Sequence, residues 1–296
     1  IHAQFPHSDE IEAFSFYCND PVYDELPYVE KLLHGKSYNL NPVLLTPEEV
    51  PSLTYAVSSN QQEPFGGLPT LAYYKVFQEA RSKGFLVLLD GQGADESWAG
   101  YDYYFSGIDS NVQGVSKTPY RKNVLSKDFL NQYIPNSAQQ KFDDSLLNLQ
   151  YRDIFSTKLA RALRFSDRIS MGNSTELREP FLDFRLMEAA FALPKEYKFR
   201  DGQQKWLFRR IAKQFLDENV QLAPKRPLQT PQREWLSGPL KDWMIEEVRS
   251  LRDTGWFDFN EVEKELQLFL NGDRDSSFHI WQWINTAVLF KTNRYL

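Results

Sequence analysis

The stretch LVLLDGQGADESWAGYDYY (residues 86–104) joins two chemistries that oppose each other. A glycine-rich turn straight after an apolar run suits phosphates. Backbone N–H groups and a helix start face outward there, and Gly91 and Gly93 let a ligand approach the backbone. Yet Asp95 and Glu96 follow at once, and carboxylates repel phosphates. A divalent cation resolves the conflict. Mg²⁺ is held by one or two carboxylates together with phosphate oxygens and waters. It also neutralises charge that builds on a departing phosphate group. The stretch therefore reads as a site for Mg-nucleotide or Mg-pyrophosphate, with Asp95 as the expected metal ligand. A structural reading stands beside it, because acids in a first helical turn favour the helix dipole in any protein. The turn is also an incomplete dinucleotide fingerprint, since no third glycine follows Gly93 three residues on.

The surrounding elements must position that turn. Residues 11–18 (IEAFSFYC) predict a short buried strand, 23–36 a helix that begins close to Pro27, and 41–45 a second strand. Thr46 and Pro47 open a helix as cap and first residue. Residues 69–84 predict an amphipathic helix closed by Gly84, and 85–89 (FLVLL) a buried strand. Strands alternating with helices predict a doubly wound parallel sheet covered on both faces, an α/β fold. After about residue 105 the pattern changes. Residues 113–123 read as a polar loop, and from Leu146 onward helices dominate. In 203–216, Trp206, Leu207, Ile211 and Phe215 share one face of a predicted helix. Lys205, Arg209 and Lys213 line another, usually a solvated one. Asn260 and Glu263 predict a capping box for a helix over 260–272, 277–290 a final aromatic helix, and 221–236 a basic, proline-containing loop. The expected organisation is an α/β nucleotide-binding part over 1–110 and a helical part over 111–296.

Bulk properties exclude several classes. Net charge is −6 with no basic block, so nucleic acid is not an expected partner. No apolar run is long enough to span a bilayer, and no membrane partner is expected. The single cysteine, Cys18, cannot form an internal disulfide. With no visible signal peptide, it fits a reducing, cytoplasmic setting. Aromatic residues make up 15% of the chain, which predicts a ring-rich core. The four histidines are scattered without metal-ligand spacing and read as structural or surface residues.

DGQGADESWAGYDYY resembles the S-G-E-G-A-D-E-x-F-G-G-Y motif of the synthetase domain of glutamine-hydrolysing asparagine synthetases, in the PP-loop ATP pyrophosphatase superfamily. Residues 166–211 resemble the family's D-R-x-S-M-A…E-x-R-x-P-F-L-D…L-P…K…G…K…L-R stretch, and 225–236 its K-x-G-F-x-x-P…W loop. The resemblance implies an adenine nucleotide α-hydrolase-like sheet, incomplete here. It also implies ATP and Mg²⁺ as cofactors and a two-step reaction. Aspartate's side-chain carboxylate attacks ATP to give aspartyl-AMP and Mg-pyrophosphate; ammonia, delivered from glutamine by a separate N-terminal glutaminase domain, then displaces AMP. Carried over by position, Phe14 and Ser15 would flank adenine. Asp90, Gly91 and Gly93 would lie against the nucleotide, and Asp95 would hold Mg²⁺. Lys225 would steady charge in the transition state.

This sequence also departs from the pattern. The S-G-G-x-D-S phosphate loop is absent, and the chain opens at Ile1, so it reads as part of a longer protein whose missing strand leaves edges through which it self-associates. Residues 1–296 alone are therefore expected to be inactive. Gln92 stands where the family has a glutamate proposed as base for the ammonia step, and a glutamine cannot accept a proton. Glu96 is the candidate substitute, and a different nucleophile is the other reading. Asp90 replaces a serine and Ala223 an arginine. Two further readings stay open: a related amide or β-lactam synthetase with another acceptor, and a non-catalytic domain. Arg178 and Asp183 read as a buried pair bracing helices, Cys18 as a core thiol, and Glu63 as a turn residue or a pocket wall.

Overall fold

The computed structural model describes residues 11–106, 121–132, 134, 140–223, 229–272 and 277–292. It is a mixed α/β structure, mostly helical, with small parallel sheets. Strand β1 (Glu12–Tyr17) pairs in parallel with β2 (Asn39–Leu44). Between them runs the helix Leu26–Leu33, with Pro27 in its first turn, where a missing N–H costs nothing. Strand β3 (Val87–Leu89) pairs in parallel with β4 (Glu176–Arg178). The parallel pairing follows the alternation of strands and helices. The four parallel strands pair as β1 with β2 and β3 with β4, and β4 comes from the part expected to be helical.

Several local expectations need correction. The run 85–89 is a strand for three residues only, and Leu86, Val87 and Leu89 are exposed rather than buried. Strand β1 is half-buried along its length, although Cys18 just beyond it is buried. Burial pushes the Cys18 thiol up to about 12, with Asp24 and Asp20 adding to the effect, which fits an inert core thiol. Residues 203–216 do not form one helix. A hairpin of β5 (Phe199–Arg200) and β6 (Gln203–Gln204) comes first, and the helix runs only from Trp206 to Ala212. Asp201 and Gly202 both have positive φ, as the two-residue turn of a type I′ hairpin requires. The helix Phe259–Leu270 is capped by the Asp258 carboxylate, which accepts from the Asn260 N–H, so Asn260 lies inside the helix. Within 221–236, residues Gln232–Ser237 are helical; residues 224–228 and most of 113–123 lie outside the described residues.

The core is built by helices. The last helix, Phe278–Thr292, packs on Val50–Gln61 and on Lys241–Arg249. It buries Ile280, Trp281, Ile284 and Val288 against Phe65, Leu68, Leu71 and Met244. Each such side chain stabilises the fold by about 1.5–3 kcal/mol. The Trp281 ring meets Phe65 edge-on at 5.9 Å, and its indole N–H donates to the Gly66 carbonyl. This mass carries the helix Leu68–Ser82, which ends at Gly84 in the left-handed region (φ 88°) and so delivers the chain into β3. Among the described residues no helix is long and apolar enough to cross a membrane.

Candidate active site

The glycine turn leaves the carboxyl end of β3. In open parallel sheets, ligands bind at that end of the strands. Its two glycines serve different purposes. Gly93 has φ 89°, and a Cβ there would fall 2.0 Å from Leu182 Cδ2. The protein itself therefore requires glycine at that position. Gly91 is exposed, with nothing within 4 Å of a Cβ, so open space stands over it. The helix that follows, Ala94–Ser97, is a single turn. The expected anion site at the helix start therefore rests on a few backbone N–H groups, with little aligned dipole behind them.

Asp95 lies in that turn, with its carboxylate 2.9 Å from Lys205 Nζ. Gly100 makes the fit possible, because a Cβ there would sit 2.0 Å from Asp95 Oδ1. Lys205 is the residue that periodicity assigned to a solvated face. The structure instead sets it after the 199–204 hairpin in a left-handed conformation (φ 52°, ψ 38°), which costs a non-glycine residue about 1–2 kcal/mol. Such strain recurs at functional sites. Arg209 is not a free surface cation either; it donates to the carbonyls of Gln204, Gln221 and Ala223. The Asp201-Gly202 pair was the available signal for the hairpin.

Glu96 points into the protein. It is buried, accepts from the Tyr101 hydroxyl at 2.6 Å, and burial raises its pKa, opposed chiefly by that bond. Behind it, buried Gln150 donates to the carbonyls of Glu96 and Ser97 at 2.7 and 2.9 Å. Gln150 in turn accepts from Lys198 Nζ at 2.8 Å. Burial holds the Lys198 ammonium down to about 8, with the charge of Asp144 working the other way.

Asp90 and Gln92 lie together. The Asp90 carboxylate accepts from the Gly91 N–H at 2.5 Å and from the Gln92 side chain. Burial nevertheless raises its pKa. Phe14 and Ser15 line a separate cleft with Phe16, Tyr23, Glu25, Tyr73 and Val76. Lys225 lies outside the described residues. Arg178 and Asp183 do not pair with each other. Both are exposed or partly so, Arg178 binding Glu176 and Asp183 binding Arg185 while capping Phe184–Ala192. Glu63 pairs with Arg164.

Among the described residues, no group of three or more His, Cys, Asp or Glu side chains could hold a metal ion. An ion at Asp95 would thus take most of its ligands from phosphate and water, which is the habit of Mg²⁺. The donor set fits that ion: one partly accessible carboxylate, with an ammonium beside it to share phosphate charge.

The chain is 26% identical over 286 residues to asparagine synthetase [glutamine-hydrolyzing] 1 of Bacillus subtilis, an alignment covering 80% of this chain and 45% of that protein. It is 27% identical over 199 residues to a putative asparagine synthetase [glutamine-hydrolyzing] 1 of Methanocaldococcus jannaschii, covering 63% and 30% respectively. The chain thus spans less than half the length of these curated relatives. Residues 2–291 match the asparagine synthase family, and the chain belongs to it.

Proposed function

We propose that this chain carries the ATP-dependent half of an amide-forming ligase: it adenylates a carboxylate, releases pyrophosphate, and lets a nitrogen nucleophile displace AMP. The observation that carries this reading is the Asp95–Lys205 pair at the glycine turn. A partly accessible carboxylate and a strained lysine side by side make a receptor for a metal-bound polyphosphate. Lys205 would bind phosphate oxygens directly, as a compact cation with three donors. Asp95 would hold Mg²⁺, which when bound offsets the charge growing on the leaving pyrophosphate. Gly91, open above its Cα, would let phosphate approach the backbone, and the cleft at Phe14 and Ser15 would receive adenine. We read the two parallel strand pairs as parts of one doubly wound sheet. By resemblance to the family, Lys225 would steady negative charge in the transition state.

Similarity to glutamine-hydrolysing synthetases supports aspartate as the acid and ammonia from glutamine, supplied by a glutaminase domain, as the nucleophile. A second reading is favoured by Gln92, which cannot take a proton: a related amide or β-lactam synthetase with another acceptor. ATP–pyrophosphate exchange by the intact gene product, run with a panel of carboxylic acids, separates the two. The first reading expects exchange with L-aspartate. Exchange with other acids and none with aspartate would establish the second, and no exchange with any acid would remove both.

A further inference from the structure

We infer that Glu179 is the general base of the nitrogen-transfer step, in the place that residue 92 leaves vacant; this rests on the adenylation reading above. The geometry comes from strand register. Leu89 of β3 lies opposite Arg178 of β4, and the Asp90 N–H donates to the Arg178 carbonyl at 3.0 Å. Asp90 and Glu179 are therefore next to each other at the carboxyl ends of the two strands, beside the glycine turn. The backbone around Glu179 is fixed on its other side too. Its carbonyl accepts from the Leu182 N–H at 2.9 Å, and Leu182 packs against Gly93.

The two carboxylates have unequal surroundings. Asp90 has two donors, the Gly91 N–H and the Gln92 side chain. Both oxygens of Glu179 are shut off from solvent and have no hydrogen-bond partner at full bonding geometry among the described residues; the backbone N–H of Gln92 is the one nearby donor that eases the burial. A buried carboxylate left unsatisfied costs the fold free energy, so it calls for a role. Burial, with the negative charge of Asp90 added, pushes Glu179 up to about 7, near the pKa that suits a base at neutral pH. Environments that drive two neighbouring carboxyls apart mark acid–base assignments. The other ionisable group facing this pair is Tyr73, whose hydroxyl is raised by burial and by Asp90, Glu25 and Glu179, so it stays neutral.

The step balances without a further reagent. The nitrogen lone pair forms the C–N bond to the acyl carbon. The C–O bond to AMP breaks, and its electron pair leaves with AMP. One N–H proton passes to a Glu179 oxygen, leaving an amide and a carboxylic acid that later releases the proton to solvent. Glu96 is less suited, because the Tyr101 hydroxyl already occupies its carboxylate.

The test uses the intact gene product with the acid that supports exchange and with ammonium chloride. Exchange reports adenylation; amide formation reports nitrogen attack. In E179Q, amide formation is expected to fall at least about 100-fold relative to that variant's own exchange rate. Wild-type amide formation should decline as pH falls through about 7, and E179Q should lose that limb. Adding Q92E to E179Q should restore at least about tenfold, which a purely structural Glu179 would not permit. Equal loss of both rates, an unchanged ratio, or wild-type exchange without amide from ammonium chloride would overturn the assignment. No exchange by the wild type with any acid would remove the adenylation reading and this inference with it.

Discussion

Lys198 shows how single side chains hold the site. Its ammonium is buried and, among the described residues, bonds the neutral oxygens of Gln150 and Phe191. Through Gln150 it braces the carbonyls of Glu96 and Ser97, in the same helical turn as Asp95. Its pKa is about 8 in the folded protein, below the 10.5 of an exposed lysine. At Lys198 the unfolded chain therefore binds more protons between those values, so this residue's own contribution to stability rises with pH from about 8 towards 10.5, opposed above about pH 9 by the Cys18 thiol, which stays protonated only in the folded chain. Urea unfolding at pH 7 and 8.5, below the range where Cys18 opposes it, should show that rise in wild type, and K198M should flatten it; an equal rise in K198M would assign it elsewhere. Nothing in the sequence around Lys198 announces this burial. Asp95 and Gly93 stood out because a motif of small and acidic residues is a local pattern. Lys205 was raised only by the family motif and Glu179 not at all, because their partners lie 110 residues away in Asp95 and across β3 in Asp90. Periodicity reports which face a residue occupies, not what waits opposite it.

At the scale of elements, caps and turns decide where the chain changes direction. Thr46 was legible as a cap because its capping box with Glu49 is local: both reciprocal bonds form. The cap of Phe259–Leu270 was misplaced by two residues, since Asp258 and Asn260 are both good capping residues and only Asp258 is anchored, by its N–H to the Val124 carbonyl. D258A should therefore cost about 1 kcal/mol, whereas N260A should cost less than about 0.5 kcal/mol as a surface change. Chemical denaturation of both variants decides it, and a larger loss from N260A would restore the earlier assignment. The hairpin at 199–204 was hidden for another reason. Its strands are two residues each, too short for any alternation to register, and only Asp201-Gly202 marks it. That hairpin matters because it sets Lys205 in reach of Asp95.

At the scale of the whole molecule, the helical mass around Trp281 and Phe65 is a platform, and the strand ends are the working edge. The helical half was legible from its apolar spacing. The sheet was legible only as strands; which strands pair, β1 with β2 and β3 with β4, follows from long-range contacts, which no local run encodes. The account as a whole depends on Asp95 meeting pyrophosphate through Mg²⁺ while Lys205 supports the same charge. The most direct measurement is Mg²⁺-dependent ATP–pyrophosphate exchange by the intact gene product and by its D95N variant, with the acid that supports wild-type exchange. Removing the carboxylate forfeits several kcal/mol of transition-state stabilisation, so D95N should exchange at least about 100-fold more slowly. Exchange by D95N at the wild-type rate would contradict the account.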